Sequence, residues 1–172
     1  EEGNNFKLKY LRSAFFSSDL HRYIRSQGYR STGLTEYTFE LDDTGRPYYV
    51  VTTYKNKIWW GCPEATGVVI CDAQTGECKW YSVKNTPEWV DIIQPESFIK
   101  NQLENYGRYV HNWWNPSNKD ELSVTEHMVT VYNEGDCYYY TGMSSVGNDN
   151  GTVGFIMVNT RDKKAIMYKM VG

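Results

Sequence analysis

The chain has 172 residues, 40% of them hydrophobic and 23% charged, and 18 basic against 21 acidic residues leave a net charge of −3. There is no basic run to neutralise phosphates, which argues against nucleic-acid binding, and no apolar run approaches the ~20 residues that span a bilayer. The length fits one domain or two small ones. Six Trp, 15 Tyr and 6 Phe make the chain 16% aromatic, which favours sheet, where aromatic rings pack on a pleated surface.

No signal peptide is visible. The chain begins at Glu1 without a Met and ends at Met170-Val171-Gly172, which reads as an excised piece of a longer protein.

Phe6 to Leu11 alternates and reads as a lead-in strand. The first helix is expected at about 18–27, with Ser17 or Ser18 as cap. Phe16, Leu20, Tyr23 and Ile24 share one stripe, and Gly28 supplies a left-handed stop. Tyr37, Phe39 and Leu41 then alternate with Thr38 and Glu40, as in a half-buried strand. Asp42 to Gly45 turns the chain, and Tyr48 to Tyr54 returns.

After the loop KNKIWWGCPEAT comes the most informative stretch, TGVVICDAQTGECKWYSV, from Thr66 to Val83. Apolar runs on both sides of the turn Asp72 to Glu77 predict a β-hairpin.

A linker over Lys84 to Gln94 leads to a second helix opened by Pro95. Its stripe is Ile99, Leu103 and Tyr106, and Gly107 is its expected stop. Leu20-Ile24-Gly28 and Ile99-Leu103-Gly107 share one spacing. Met128 to Tyr132 reads as a strand, Asn133 to Gly135 as a turn and Cys137 to Thr141 as the returning strand. The loop GMSSVGNDNG precedes a last hairpin, Thr152 to Met170. The order of elements agrees twice, which is the mark of an internal repeat.

The expected fold class is therefore α+β: two tandem repeats, each one helix packed on a four-stranded antiparallel β-sheet. Residues 1–87 and 88–172 are the two expected domains, with superposable cores near 15–83 and 95–170. The segment His111 to Leu122, HNWWNPSNKDEL, has no counterpart in the first half and reads as an insertion.

Four cysteines, Cys62, Cys71, Cys78 and Cys137, form no CxxC pair, and His21, His111 and His127 are scattered, so no zinc site is expected. Cys71 and Cys78 flank the hairpin turn, where a disulfide is geometrically open. Two small buried hydrophobes are the simpler reading.

No nucleophile elbow, HExxH, phosphate loop or dinucleotide fingerprint is present. Ser144-Ser145 in a glycine-rich loop has no His near it in sequence, and Cys62 beside Trp60 reads as packing. Asp42-Asp43 and Gly147 to Gly151 lack EF-hand spacing and read as turns, as does the sequon at Asn150. No catalytic residue, metal or cofactor is expected.

VVICDAQTGECKWYS resembles the closing hairpin of PepSY-type domains, in which a strand enters a D-A-x-T-G-E turn. FELDDTGRPYYVVTTY resembles the central part of that pattern. The likeness covers Thr35 to Val83; in the second half Asn159 to Lys163 lacks the Thr-Gly-Glu. It implies a non-catalytic protein-interaction or regulatory module at the extracytoplasmic face of a bacterial membrane, anchored through segments outside this sequence. Its partner would be a protein or another domain of the parent chain.

The alternative is a carbohydrate or peptidoglycan binder using exposed tryptophans. The candidate contact residues are Trp59, Trp60, Trp113, Trp114 and Asn115, because each Trp pair lies between elements and the asparagines add adaptable hydrogen bonds. Packing of all four rings is the bland reading of the same residues.

Overall fold

A computed structural model describes residues 19–56, 63–109, 122–125, 127–133, 135–145 and 151–170. Among the described residues the chain divides into two units, the first ending at Ile93 and the second beginning at Gln94. The first unit thus extends past the expected boundary at 87.

In the first unit, α1 (Leu20–Ser26) is capped by Asp19, whose carboxylate accepts from Arg22 N at 2.7 Å. Ser17 and Ser18 lie outside the described residues. Arg25 Nη1 donates to the carbonyls of Tyr29, Arg30 and Thr32, which fixes the path leaving the helix. The strands β1 (Gly33–Leu41), β2 (Pro47–Asn56), β3 (Pro63–Asp72) and β4 (Cys78–Ser82) then form an antiparallel meander in sequence order. One bulge interrupts β1, where Glu36 adopts φ 45° between Thr35 and Tyr37.

Both faces of this sheet are buried at their centre, while Phe39, Leu41 and Trp80 toward the edges of the inner face stay 45–53% exposed. On the inner face, Leu20 and Ile24 of α1 pack on Tyr49, Val51, Val69, Cys71 and Ala73. On the outer face, Val50, Val68 and Ile70 are covered by Val90 and Ile93 of the segment that follows β4. That segment begins with a 3-10 turn at Val83–Asn85. Two-sided burial explains the near-continuous apolar run of β3.

In the second unit, α2 (Glu96–Tyr109) starts after Pro95, whose carbonyl accepts from Phe98 N and Ile99 N. It runs past Gly107, the expected stop. Phe98, Ile99 and Leu103 are buried. The strands are β5 (Leu122–Val124), β6 (Val129–Asn133), β7 (Asp136–Ser145), β8 (Thr152–Asn159) and β9 (Ala165–Lys169).

This sheet corrects the expected fold class. It has five strands, because β5 and β6 both pair with β7. Two four-stranded, helix-covered repeats are therefore not what the chain forms: among the described residues it is mostly β, with antiparallel sheets of four and five strands and two α-helices. The physical reason is the length of β7. It continues through Gly142-Met143-Ser144-Ser145, which read as loop by composition. β6 pairs only 136–140, so the rest of that edge accepts Leu122–Val124, against Met143 to Ser145. Ser144 and Ser145 accordingly lie in a strand.

Candidate functional site

The two sheets differ most on their outer faces. Side chains alternate across a strand, so the register defines each face. In the first unit one transverse row is Thr38, Val50, Ile70 and Lys79, and the next is Thr52, Val68 and Tyr81. Polar residues stand at both margins. The middle is sealed by Val90 and Ile93, both 0% exposed. Trp89 stacks on Tyr48 at 5.1 Å between centroids, and Thr52 Oγ1 donates to Ile93 O at 3.1 Å.

The corresponding row of the second unit is Val129, Tyr140, Met157 and Ile166, flanked by Phe155 with Tyr168 and by Val131 with Tyr138. Its margins are apolar where those of the first unit are polar. Val129 is 57% exposed, Ile166 52%, Tyr168 45% and Tyr140 37%. The inner face is conventional: Cys137, Tyr139, Thr141, Met143, Ile156 and Val158 are buried. Tyr139 Oη donates to Gln94 O. Exposed, contiguous apolar faces are one of the places where interaction surfaces are found.

The aromatics of this face hold one another. Phe155 stacks on Tyr168 at 4.7 Å with 19° between planes, and Tyr140 tilts against Phe155 at 5.2 Å. Phe155 is thus flanked by both tyrosines, which takes up ring surface within the face.

At one end of the face a depression of about 400 Å³ opens beside Tyr138, with Asp136, Asp162, Lys164 and Ile166 in its wall. Lys164 Nζ lies 2.7 Å from Asp162 Oδ2, and Tyr138 Oη donates to Asp136 Oδ2 at 3.3 Å. Burial alone would raise the Asp162 carboxyl, yet the hydrogen bonds from Lys164 hold it below the usual carboxylate value. The ammonium of Lys164 is held above its own by the same pair.

The first unit has a smaller depression, about 230 Å³, lined by Arg46, Tyr48, Asp72, Glu77 and Lys79 among others. Asp72 is ion-paired to Arg46. Burial would raise the Asp72 carboxyl, but backbone N–H groups of Thr75 and Gln74 and the Arg46 guanidinium bring it below the ordinary value. These hydrogen bonds build the turn after β3, so Asp72 is a structural carboxylate.

Trp59, Trp60, Trp113, Trp114 and Asn115 all lie outside the described residues, as do Cys62, the lead-in segment Phe6 to Leu11 and most of the insertion. Cys71 and Cys78 stand directly opposite in the register, 4.1 Å apart at Cα, and form a disulfide, not the pair of free thiols that the simpler reading favoured. Cys137 is buried and is not part of a disulfide. Asp42 is a turn residue whose Oδ1 accepts from Thr44 N, Thr44 Oγ1 and Arg46 N. Among the described residues, no group of three or more His, Cys, Asp or Glu is placed to hold a metal ion. No described helix is long and apolar enough to cross a membrane.

The outer-face residues Tyr140, Phe155, Ile166 and Tyr168 were not singled out from sequence. The signal was present: Cys137 to Tyr140 and Phe155 to Val158 are apolar at successive positions, which places apolar side chains on both faces of a strand.

No protein-family model, no curated protein and no solved structure matches the chain. What the fold and surface define is a mostly β chain of two antiparallel-sheet units, one of which leaves an apolar face open.

Proposed function

We propose that this chain is a non-catalytic protein-interaction module, PepSY-like in its first unit, carried at the extracytoplasmic face of a bacterial membrane. The observation that carries the reading is the open apolar outer face of β6, β7, β8 and β9, with Val129, Tyr140, Ile166 and Tyr168 exposed. Two features support the location and the class. A disulfide at Cys71–Cys78 suits an oxidising compartment. The described part of Thr35 to Val83, which carries the PepSY resemblance, forms an antiparallel meander, in keeping with the small antiparallel sheet that the resemblance implies.

Site-specific photo-cross-linking in the producing cell tests the role. A photoreactive residue at position 166 or 168 is expected to give a discrete protein adduct. One at Lys79, on the polar margin of the first sheet, is not. Equal adducts at all three positions, or none at any, refute the interaction surface. Thiol trapping before and after reduction tests the compartment. Cys71 and Cys78 are expected to resist alkylation until reduced, and immediate labelling of both in intact cells argues for a reducing compartment.

A further inference from the structure

The first unit shows what closes an outer face of this shape: one short segment built of turns, not a domain. Eleven residues, Val83 to Ile93, follow β4 and place Trp89 on Tyr48, with Val90 and Ile93 over Val50, Val68 and Ile70. Thr52 fixes the segment by donating to Ile93 O.

The outer face of the second unit is more apolar, because Val129 and Ile166 stand where the first has Thr38 and Lys79. Its size separates the candidate occupants. Four strands about 4.8 Å apart and about five residues long at ~3.3 Å each give a face of roughly 300 Å². A stable complex of two globular partners buries about 800 Å² on each. A second folded copy would have to bury surface well beyond this face, whereas a short peptide fits within it.

Charge narrows the choice further. The depression beside Tyr48 is balanced: Arg46 and Lys79 face Asp72 and Glu77. The segment that stacks there carries Glu88 next to its Trp89 anchor. Beside Tyr138 the wall holds two carboxylates, Asp136 and Asp162, against one ammonium, Lys164. An anchor docking on Tyr138 thus meets a net negative rim.

We propose that the outer face of the second sheet receives a single short apolar segment of a partner protein, with an aromatic anchor stacked on Tyr138 and a lysine or arginine beside that anchor. The inference rests on the interaction-module reading above and names the partner class for the same face.

The experiment is an amide NMR titration of the full chain with three synthetic peptides. One has the sequence of residues 83–93 with Glu88→Lys, one has it unchanged, and one carries Glu88→Lys together with Trp89→Ala. In the first unit the segment is tethered, and a short tether supplies an effective concentration of about 1 mM, so free peptide is carried into the millimolar range. The Glu88→Lys peptide is expected to shift the amides of Tyr138, Tyr140, Phe155, Ile166 and Tyr168. It should bind several-fold tighter than the unchanged peptide, and the Trp89→Ala form should not bind.

Ile166→Lys in the protein should abolish those shifts. Val129→Lys, at the opposite margin, is the second variant should Ile166→Lys perturb the fold. No shift at these residues, or shifts confined to β2, β3 and β4, overturns the proposal. So does a dimer in sedimentation that either lysine variant dissociates. That last result would leave the face an interaction surface with a second copy as its occupant. Loss of the cross-links at 166 and 168 together with absent shifts would remove both readings.

Discussion

The turn from Asp72 to Glu77 and the turn from Asn159 to Lys164 share their hydrogen bonds and almost none of their side chains. In the first, Asp72 N donates to Glu77 O and Gly76 N to Asp72 O. In the second, Asn159 N donates to Lys164 O and Lys163 N to Asn159 O. Asp72 Oδ1 accepts from Gln74 N and Thr75 N, and Asn159 Oδ1 accepts from Arg161 N and Asp162 N. Even the tie to the neighbouring strand agrees, Ala73 N to Pro47 O and Thr160 N to Cys137 O. The fourth position agrees as well: Thr75 Oγ1 accepts from Glu77 N, and Asp162 Oδ1 accepts from Lys164 N. Side-chain oxygens at the first and fourth positions therefore brace both turns, whatever residues carry them. The lesson extends to the faces: similar backbones carry a covered surface in one unit and an open one in the other.

The largest effect is expected where the two hairpins agree. A Cβ on Gly67 would sit 2.0 Å from Tyr81 O, and one on Gly154 would sit 2.2 Å from Tyr168 O. Both obstacles are backbone, so neither can swing aside. Gly67→Ala and Gly154→Ala should each cost about 3–4 kcal/mol, near the upper end for point changes. Urea unfolding followed by amide signals of each unit checks this. A cost below about 1 kcal/mol at either glycine would mean that its strand crossing relaxes freely.

The next effect divides the hairpins. Cys71–Cys78 clips the first, while Val158 and Ala165 occupy the corresponding cross-strand pair in the second. Chain-entropy arguments give about 2.5 kcal/mol for so short a loop. The Cys71→Ala, Cys78→Ala double variant should lower the stability of the first unit by that order and leave the second unchanged. Hydrogen exchange resolved by unit would show it.

The first position of each turn should respond more modestly. Asp72→Ala and Asn159→Ala each orphan two backbone N–H groups, a loss of about 1–3 kcal/mol. Acid separates the pair. The Asp72 carboxyl titrates below its ordinary 3.8 in the folded chain. A depressed pKa means that its contribution is complete above the unfolded value and disappears as pH falls through the folded one. The first unit should therefore weaken below about pH 4. Asn159 has no proton to take up. Asp162, also held low, should add less, because its partner Lys164 is exposed and screened. Asp72→Asn should flatten the acid limb of the first unit.

Much of this was legible in the sequence and some was not, for physical reasons. Strand β3, its turn and β4 were readable because β-branched runs met a turn with Asp and Gly. The Leu20 and Ile24 stripe gave α1. The fifth strand was hidden because Gly142 and Ser144 have poor strand propensity; pairing along β7 overrides it. The cover over the first outer face was hidden because Trp89, Val90 and Ile93 form no periodic pattern. They are buried by tertiary contact alone. The open second face follows from strand register, which no single stretch declares.

The smallest prediction tests the fifth position of the turns. Gly76 sits at φ 82° and Lys163 at φ 66°, both in the left-handed region. Glycine enters that region without penalty, whereas a side chain with a Cβ is held there against its preference. Lys163 is thus a compromise that the first turn avoids. Lys163→Gly should stabilise the second unit by about 0.5–1 kcal/mol, with some of the relief offset because glycine gives the unfolded chain more freedom. Gly76→Lys should destabilise the first unit by a similar amount. Two denaturation curves, each read from amides of its own unit, are sufficient. If Lys163→Gly weakens the second turn instead, the lysine side chain makes a contact that outweighs its backbone cost, and the two turns are less alike than their hydrogen bonds suggest.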